Sequence, residues 1–157
     1  REMGSLLGKD TVHFVAFTAR PHSPIWHKFY FSQYLTPENF DHAASRLQRV
    51  VKRFAPDTQS ASRWAIYHDR LARRHCTDTL FVSLALTEDE CDRSVKIDYP
   101  GVSPLVAAGL LDGPSSERAH ERFQRLCAVA GRPTLSYLGV RMGVEEQPTL
   151  KGYADLP

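Results

Sequence analysis

The sequence has few cysteines and no long apolar run. Its three cysteines, Cys76, Cys91 and Cys127, are odd in number and form no CxxC pair, so we expect free thiols rather than a disulfide framework or a metal site. No run approaches the roughly 18 apolar residues that a membrane helix needs, and no charged-then-apolar leader opens the chain. These absences predict a cytoplasmic protein with no membrane partner.

A strong excess of charge is also missing. The formal net charge is +2 at pH 7, whereas non-specific binding of nucleic acid rests on many phosphate contacts from Lys and Arg. We therefore expect no nucleic-acid partner, and any anion site has to be local.

What the sequence does have is an ordinary globular composition, with 42% hydrophobic and 24% charged residues among its 157 residues. A chain of this length can bury one continuous core. Because Gly4 and Ser5 follow Met3, we expect residues 1–5 to be a cloning remnant. Residues 6–157 are then expected to form a single domain.

Strand-like and helix-like segments alternate along the chain. Runs rich in β-branched and aromatic residues predict three antiparallel hairpins in one sheet, formed by residues 11–20 with 27–34, 79–87 with 94–99, and 135–142 with 149–154. Apolar residues at helical spacing predict helices over residues 36–54, from 60 onward, over 103–111 and over 116–130, with Thr36 as the first N-cap and Pro37 as the first helical residue. The order ββα, αββα, αββ predicts an α+β fold of repeated αββα units.

One lysine in each hairpin follows a common spacing. Val12 to Lys28, Leu80 to Lys96 and Leu135 to Lys151 are each sixteen residues apart (28−12, 96−80, 151−135). Three unrelated hairpins would seldom agree so well, so we interpret the spacing as an internal structural repeat.

These lysines share strand faces with polar partners. Because side chains alternate across a strand, Lys28 lies on the face of Tyr30, Lys151 on that of Tyr153, and Lys96 on that of Asp98.

If all three lysines occupy one face, an anion such as a phosphorylated ligand is their natural counter-ion. Arg141, on the side of Tyr137 and Gly139, would join them as a bidentate phosphate clamp. The alternative is a solvated face on which lysines protect the sheet from pairing with other chains.

Other candidates in the sequence are weaker. His27, His68 and the pair His75-Cys76 show no Ser/His/Asp or Cys/His arrangement, so structural roles are expected for them. The arginines Arg63, Arg70, Arg73 and Arg74 are typical of a solvated helix face.

The strands Lys28-Phe29-Tyr30 and Lys151-Gly152-Tyr153, with the related Lys96-Ile97-Asp98-Tyr99 and the αββα order, resemble the ABBA-barrel aromatic prenyltransferases of the dimethylallyltryptophan synthase type. The resemblance covers roughly residues 11–157, and residues 136–157 are similar to that family's last hairpin. It implies an antiparallel sheet curving into a barrel, or a partial one, surrounded by helices.

The same resemblance implies a function and its site. The protein would move a dimethylallyl group from an allylic diphosphate to an indole-type acceptor, with no cofactor and no obligatory metal. The residues that would bind the diphosphate or shield the allyl cation are Lys28, Tyr30, Lys96, Arg141, Lys151 and Tyr153.

Two departures from the family pattern stand in the sequence. Three hairpins are fewer than the family barrel uses, so we expect a homodimer or a part of a larger barrel. Asp98 stands where the motif has tyrosine, and a carboxylate is a poor neighbour for a diphosphate.

The base that accepts the indole proton is not identified by the sequence, and the acidic loop Glu88-Asp89-Glu90 is a hypothesis from charge alone. The alternative function is non-catalytic. On that interpretation a partial barrel binds a hydrophobic or phosphorylated ligand, or acts as a partner subunit.

Overall fold

The strands and helices follow the predicted order closely. The structure is a computed structural model that describes residues 14–18, 25–55, 58–73, 79–87, 93–143 and 148–156. The strands are β1 (Phe14–Thr18), β2 (Trp26–Tyr34), β3 (Thr79–Thr87), β4 (Arg93–Pro100), β5 (Tyr137–Met142) and β6 (Thr149–Tyr153). The helices are α1 (Phe40–Phe54), α2 (Thr58–Ala72), α3 (Pro104–Ala108) and α4 (Pro114–Val129).

All six strands form one antiparallel sheet in the order β1-β2-β3-β4-β5-β6. The prediction of three antiparallel hairpins in a single sheet is therefore confirmed. In the described residues β1 pairs only with β2 and β6 only with β5, so the sheet is not closed into a barrel.

The core lies between one face of this sheet and the helices. Contacts join α1 to β4, α2 to β5 and α4 to β6. Alternate strand residues supply the apolar side chains, for example Val82, Ile97 and Val140, which are 0% exposed. These three side chains stand side by side because the register pairs Val82 with Ile97 and Ile97 with Val140.

The start of the first helix differs from the predicted one. Thr36 and Asn39 bind each other reciprocally: Thr36 N donates to Asn39 Oδ1 over 2.8 Å, and Asn39 N donates to Thr36 Oγ1 over 3.2 Å. This closes a turn at residues 37–39, and the α-helix begins only at Phe40 with Asn39 as its N-cap. The Thr36 hydroxyl thus does bind an N–H three residues on, but it caps a turn instead of the helix.

The common sixteen-residue spacing matches the strand pairing in two of the three hairpins: the residue paired with the lysine lies twelve positions before Lys28 and Lys151 (28−16, 151−139) but thirteen before Lys96 (96−83). Lys28, Lys96 and Lys151 pair across their hairpins with Ala16, Ser83 and Gly139, and Leu135 lies outside β5. Val12 falls outside the described residues. So do residues 1–13, the loop at 88–92 and the His75-Cys76 pair.

Candidate functional site

The three predicted lysines lie on one face of the sheet, opposite the core. In an antiparallel sheet directly paired residues point to the same side, and the register connects Lys28 through Ala85 and Ser94 to the side of Lys96. The pairs Asp98–Gly139 and Gly139–Lys151 extend that side to β6. We name it the lysine face. Its long or charged members include Trp26, Lys28, Tyr30, Tyr34, Phe81, Lys96, Asp98, Tyr137, Arg141, Lys151 and Tyr153.

Small residues form the floor of the lysine face near its middle. Ser83 is 7% exposed, Ala85 8%, Thr87 2% and Ser94 2%, although they lie opposite the core. The large neighbours on β2 and β5 supply the cover.

Arg141 and Trp26 account for part of this burial. The Arg141 guanidinium lies 5.6 Å from the centre of the Trp26 ring, and its Nε donates to Ser94 Oγ over 3.2 Å. Since Trp26 stands on β2 and Arg141 on β5, the guanidinium reaches across the two strands between them, over Ser94. Arg141 is on the predicted face, but it is engaged with an aromatic ring and a hydroxyl.

A compact polar cluster occupies the β4–β6 part of the lysine face. Lys96 Nζ lies 2.9 Å from Asp98 Oδ2 and donates to the Tyr153 hydroxyl over 3.2 Å. The same ammonium lies 4.9 Å from the centre of the Tyr153 ring, and Lys151 Nζ lies 5.1 Å from that centre. Two of the three predicted lysines thus converge on one predicted tyrosine.

Gly139 makes room for the Asp98 carboxylate in this cluster. A Cβ at position 139 would lie 2.7 Å from Asp98 Oδ1, 3.2 Å from Lys96 Cδ and 3.4 Å from Tyr153 Cε2. A real Cβ would therefore displace the carboxylate that pairs with Lys96. Asp98 Oδ1 is buried and has no hydrogen-bond partner among the described residues.

Burial and charge compete in setting the protonation of the pair. Burial raises the pKa of the Asp98 carboxyl, and the hydrogen bond from Lys96 and the charge of Lys151 offset this only in part. For Lys96, burial lowers the pKa of the ammonium, but the hydrogen bond and the charge of Asp98 outweigh it, so the pKa is raised. Lys96 is therefore held as a cation, whereas burial of the charged Asp98 carboxylate costs free energy that its cationic neighbours offset only in part.

Lys28 and Tyr30 lie on a different strand from this cluster. They lie on β2, two strands away from β4, with Ser83 and Ala85 between them and Lys96. Adjacent strands are about 4.8 Å apart, so the β2 residues lie roughly 10 Å across the sheet from β4. The structure thus places the six predicted site residues on one face, where Lys96 and Lys151 both contact Tyr153.

Another polar group is buried on the core side of β4. The Trp64 indole donates to the Tyr99 hydroxyl over 3.1 Å, and that hydroxyl lies 2.9 Å from His68 Nδ1. His68 also stacks on Trp64, with ring centres 4.9 Å apart. Burial lowers the pKa of His68 to about 4, against a smaller opposing effect of Asp69. We call these three residues the Tyr99 network, and their packing indicates a structural role for His68.

Three residues of the lysine face were not predicted as site residues. The sequence places Asp98 on the face of Lys96 and Gly139 on the side of Arg141 but assigns neither a role in the site, and Trp26 enters through its contact with Arg141. Period-two alternation places Asp98 beside Lys96, but the register between β4 and β5 is needed to place Gly139 under the carboxylate.

Within the described ranges, no group of three or more His, Cys, Asp or Glu residues could hold a metal ion. No helix in that part of the chain is long and apolar enough to cross a membrane. Comparison of the sequence with models of protein families and with curated proteins finds no match.

Proposed function

We propose that the lysine face binds the diphosphate of an allylic diphosphate such as dimethylallyl diphosphate. The observation that carries the proposal is the convergence of Lys96 and Lys151 on the Tyr153 ring, at 4.9 and 5.1 Å. Because both ammonium groups lie within 5.1 Å of the same ring centre, we infer that one diphosphate can contact both. Lys28 and Arg141 add two cations to the same face, where Asp98 is the single carboxylate among the described residues.

We further propose that the protein transfers the prenyl group to an indole-type aromatic acceptor. The bond between the allylic carbon and the diphosphate oxygen breaks, and both electrons leave with the diphosphate. A ring carbon of the acceptor then forms a bond to the allyl cation and loses its proton, for which the released diphosphate can serve as the base. Fixed cations lower this barrier because they stabilise charge that develops on the leaving group.

Tyr153 is suited to stabilising the allyl cation. Its ring already faces two ammonium groups, so its electron-rich face is one on which a cation is stabilised. Tyr30, Trp26 and Phe81 provide further aromatic surface on the lysine face. Cations for the diphosphate and rings for the allyl group therefore occupy the same side of one sheet.

Calorimetric titration tests the binding step. Dimethylallyl diphosphate and inorganic pyrophosphate are titrated at fixed ionic strength into the wild type and into Lys28→Gln, Lys96→Gln and Lys151→Gln. We expect Lys96→Gln and Lys151→Gln to weaken binding by about 1–3 kcal/mol, the usual range for hydrogen bonds to charged groups. Lys28→Gln should have the smaller effect because it lies two strands away.

Lys52→Gln is the matched control, since Lys52 is an exposed residue of α1 on the helix side of the sheet. It removes the same charge and should leave binding unchanged. Equal losses in Lys52→Gln and Lys96→Gln would show a diffuse charge effect and contradict a built site. A screen of prenyl diphosphates against aromatic acceptors tests the transfer step, and binding without product would leave an anion-binding protein.

The open edges of the sheet favour a second candidate, a partial barrel that acts with another chain. Among the described strands, β1 and β6 each have one unpaired side, and unpaired edges invite pairing with further strands. A homodimer or a larger barrel would satisfy them. Sedimentation at micromolar concentration tests this, and a strict monomer with full prenyltransferase activity would contradict it.

A further inference from the structure

Asp98 is the residue of the lysine face that opposes an anion. It is the one carboxylate among the described residues of that face, and its Oδ2 lies 2.9 Å from the Lys96 ammonium. An anion that contacts Lys96 is therefore placed beside a second negative charge. Two such charges in a half-buried site repel each other strongly.

The carboxylate has little freedom to move out of the way. Asp98 is 8% exposed, and its Oδ1 fills the space that a side chain at Gly139 would take. Tyr153 lies close to the same space and receives the hydrogen bond from Lys96. Protonation relieves the repulsion without displacing any of these groups.

We propose that Asp98 couples the binding of a phosphate-type anion at Lys96 and Lys151 to the uptake of one proton. This inference rests on the proposed anion site. The proton comes from solvent and binds the Asp98 carboxyl as the anion takes over its contact with Lys96. No covalent bond of the ligand changes in this step.

The surrounding charges fit this role. The titratable or charged groups of the lysine face on the strands beside Asp98 are Lys96 on β4, Tyr137 and Arg141 on β5, and Lys151 and Tyr153 on β6, while β3 presents Phe81 and Ser83. Burial already raises the pKa of Asp98 against the effects of Lys96 and Lys151. A bound anion adds to burial and offsets those two cations, so it favours the protonated carboxyl further.

Binding of inorganic pyrophosphate to the wild type and to Asp98→Asn tests the proposal. At about pH 7.5, Asp98→Asn should bind on the order of tenfold more tightly, because one buried negative charge is gone. Toward about pH 5.5 this advantage should become smaller, because burial raises the pKa of Asp98 and the wild-type carboxyl binds a proton more readily as the pH falls. The ratio of the two dissociation constants at each pH cancels the titration of pyrophosphate itself.

Asp69→Asn is the matched control. It removes one carboxylate from the exposed face of α2, where Asp69 pairs with Arg73, and should leave binding unchanged at both pH values. Near pH 5.5 the folded protein keeps His68 neutral, since its pKa is about 4. Circular dichroism of each variant at each pH confirms that folded proteins are compared.

A second readout uses the wild type alone, so the proposal stays testable if Asp98→Asn does not fold. Sulfate keeps a constant charge over this range, and its titration in buffers of different ionisation enthalpy should reveal proton uptake on binding. A pH-independent ratio, sulfate binding without proton uptake, or no binding of either anion to either protein would overturn the proposal. Proton-coupled anion binding without any prenyl product would instead refute only the proposed transferase function.

Discussion

Asp98 and Tyr99 are neighbours in sequence, yet β4 sends them into two different kinds of polar environment. Tyr99 points into the core, is 0% exposed and joins Trp64 and His68 through hydrogen bonds between neutral groups. Asp98 points to the lysine face and meets charged side chains, Lys96 at 2.9 Å and Lys151 beyond Gly139. The two residues share a strand, but Tyr99 has neutral partners and Asp98 has charged ones.

This difference in partners distinguishes the Tyr99 network, a structural polar group, from the surroundings of Asp98, a candidate site. In the Tyr99 network each hydrogen bond joins groups that carry no net charge, so no ion is desolvated there, although His68 Nε2 is buried without a hydrogen-bond partner among the described residues. Around Asp98, by contrast, burial of a carboxylate costs free energy that the single close contact with Lys96 does not fully offset. A buried carboxyl whose pKa is perturbed beside a specific charged partner is a feature that occurs frequently at functional sites.

The largest expected effect comes from the two tryptophans, Trp64 of α2 in the core and Trp26 of β2 on the lysine face. Trp64→Ala removes a side chain that is 1% exposed, stacks on His68 and binds Tyr99. We expect it to lower the free energy of unfolding by about 3–5 kcal/mol. Trp26→Ala removes a half-buried ring whose cationic partner is Arg141, and should cost about 1–2 kcal/mol.

Urea unfolding of both variants, with Ile66→Ala as the control, measures this difference. Ile66 is 53% exposed on the same helix as Trp64 and should change the unfolding free energy by less than about 0.5 kcal/mol. Equal costs for the two tryptophans would mean that the lysine face is a second core, and would remove the contrast drawn between the faces.

Lowering the pH is expected to have a smaller effect on the free energy of unfolding, through His68 in the core. The unfolded imidazole of His68 binds a proton below its ordinary pKa of 6.5, whereas burial lowers the folded pKa to about 4. The unfolded state therefore binds more protons in this interval, so stability is fully present above pH 6.5 and is lost as the pH falls toward 4. The loss attributable to His68 is at most roughly 3 kcal/mol.

Unfolding free energies of the wild type and His68→Phe across this range measure that contribution. The acid-dependent loss should be smaller in His68→Phe, while His42→Asn, which removes an exposed histidine of α1, should retain it. Parallel pH profiles for the wild type and His68→Phe would show that His68 is not the titrating group.

Local patterns in the sequence predict most of the fold and the face on which each site lysine lies, but not the residues that each lysine contacts. Period-two alternation places each lysine on the face opposite its apolar neighbours, and the run of residues 79–87 is a strand over its whole predicted length. The partner of each lysine depends on hairpin register, which turn geometry fixes and spacing alone does not. The contact between Lys96 and Tyr153 joins residues of different hairpins, so no pattern within one hairpin contains it.

Gly139 offers the finest test of the contrast, because its missing side chain serves the charged cluster alone. Gly139 does not have a positive φ, so alanine suits its backbone, but the new Cβ would lie 2.7 Å from Asp98 Oδ1. We expect Gly139→Ala to lower the unfolding free energy by about 1–2 kcal/mol. In an Asp98→Ala background the same change should cost less than half as much, because the displaced oxygen is gone, which gives a coupling of about 1 kcal/mol.

Gly152→Ala is the control for this cycle. Its Cβ would meet the Phe123 ring at 2.9 Å on the core side, so its cost should be the same with or without Asp98. The four unfolding free energies of each cycle are measured in urea under one set of conditions. If the costs of Gly139→Ala and Asp98→Ala prove additive, the glycine does not position the carboxylate. Asp98 could then move away from a bound anion, and the argument that it must bind a proton instead would fail.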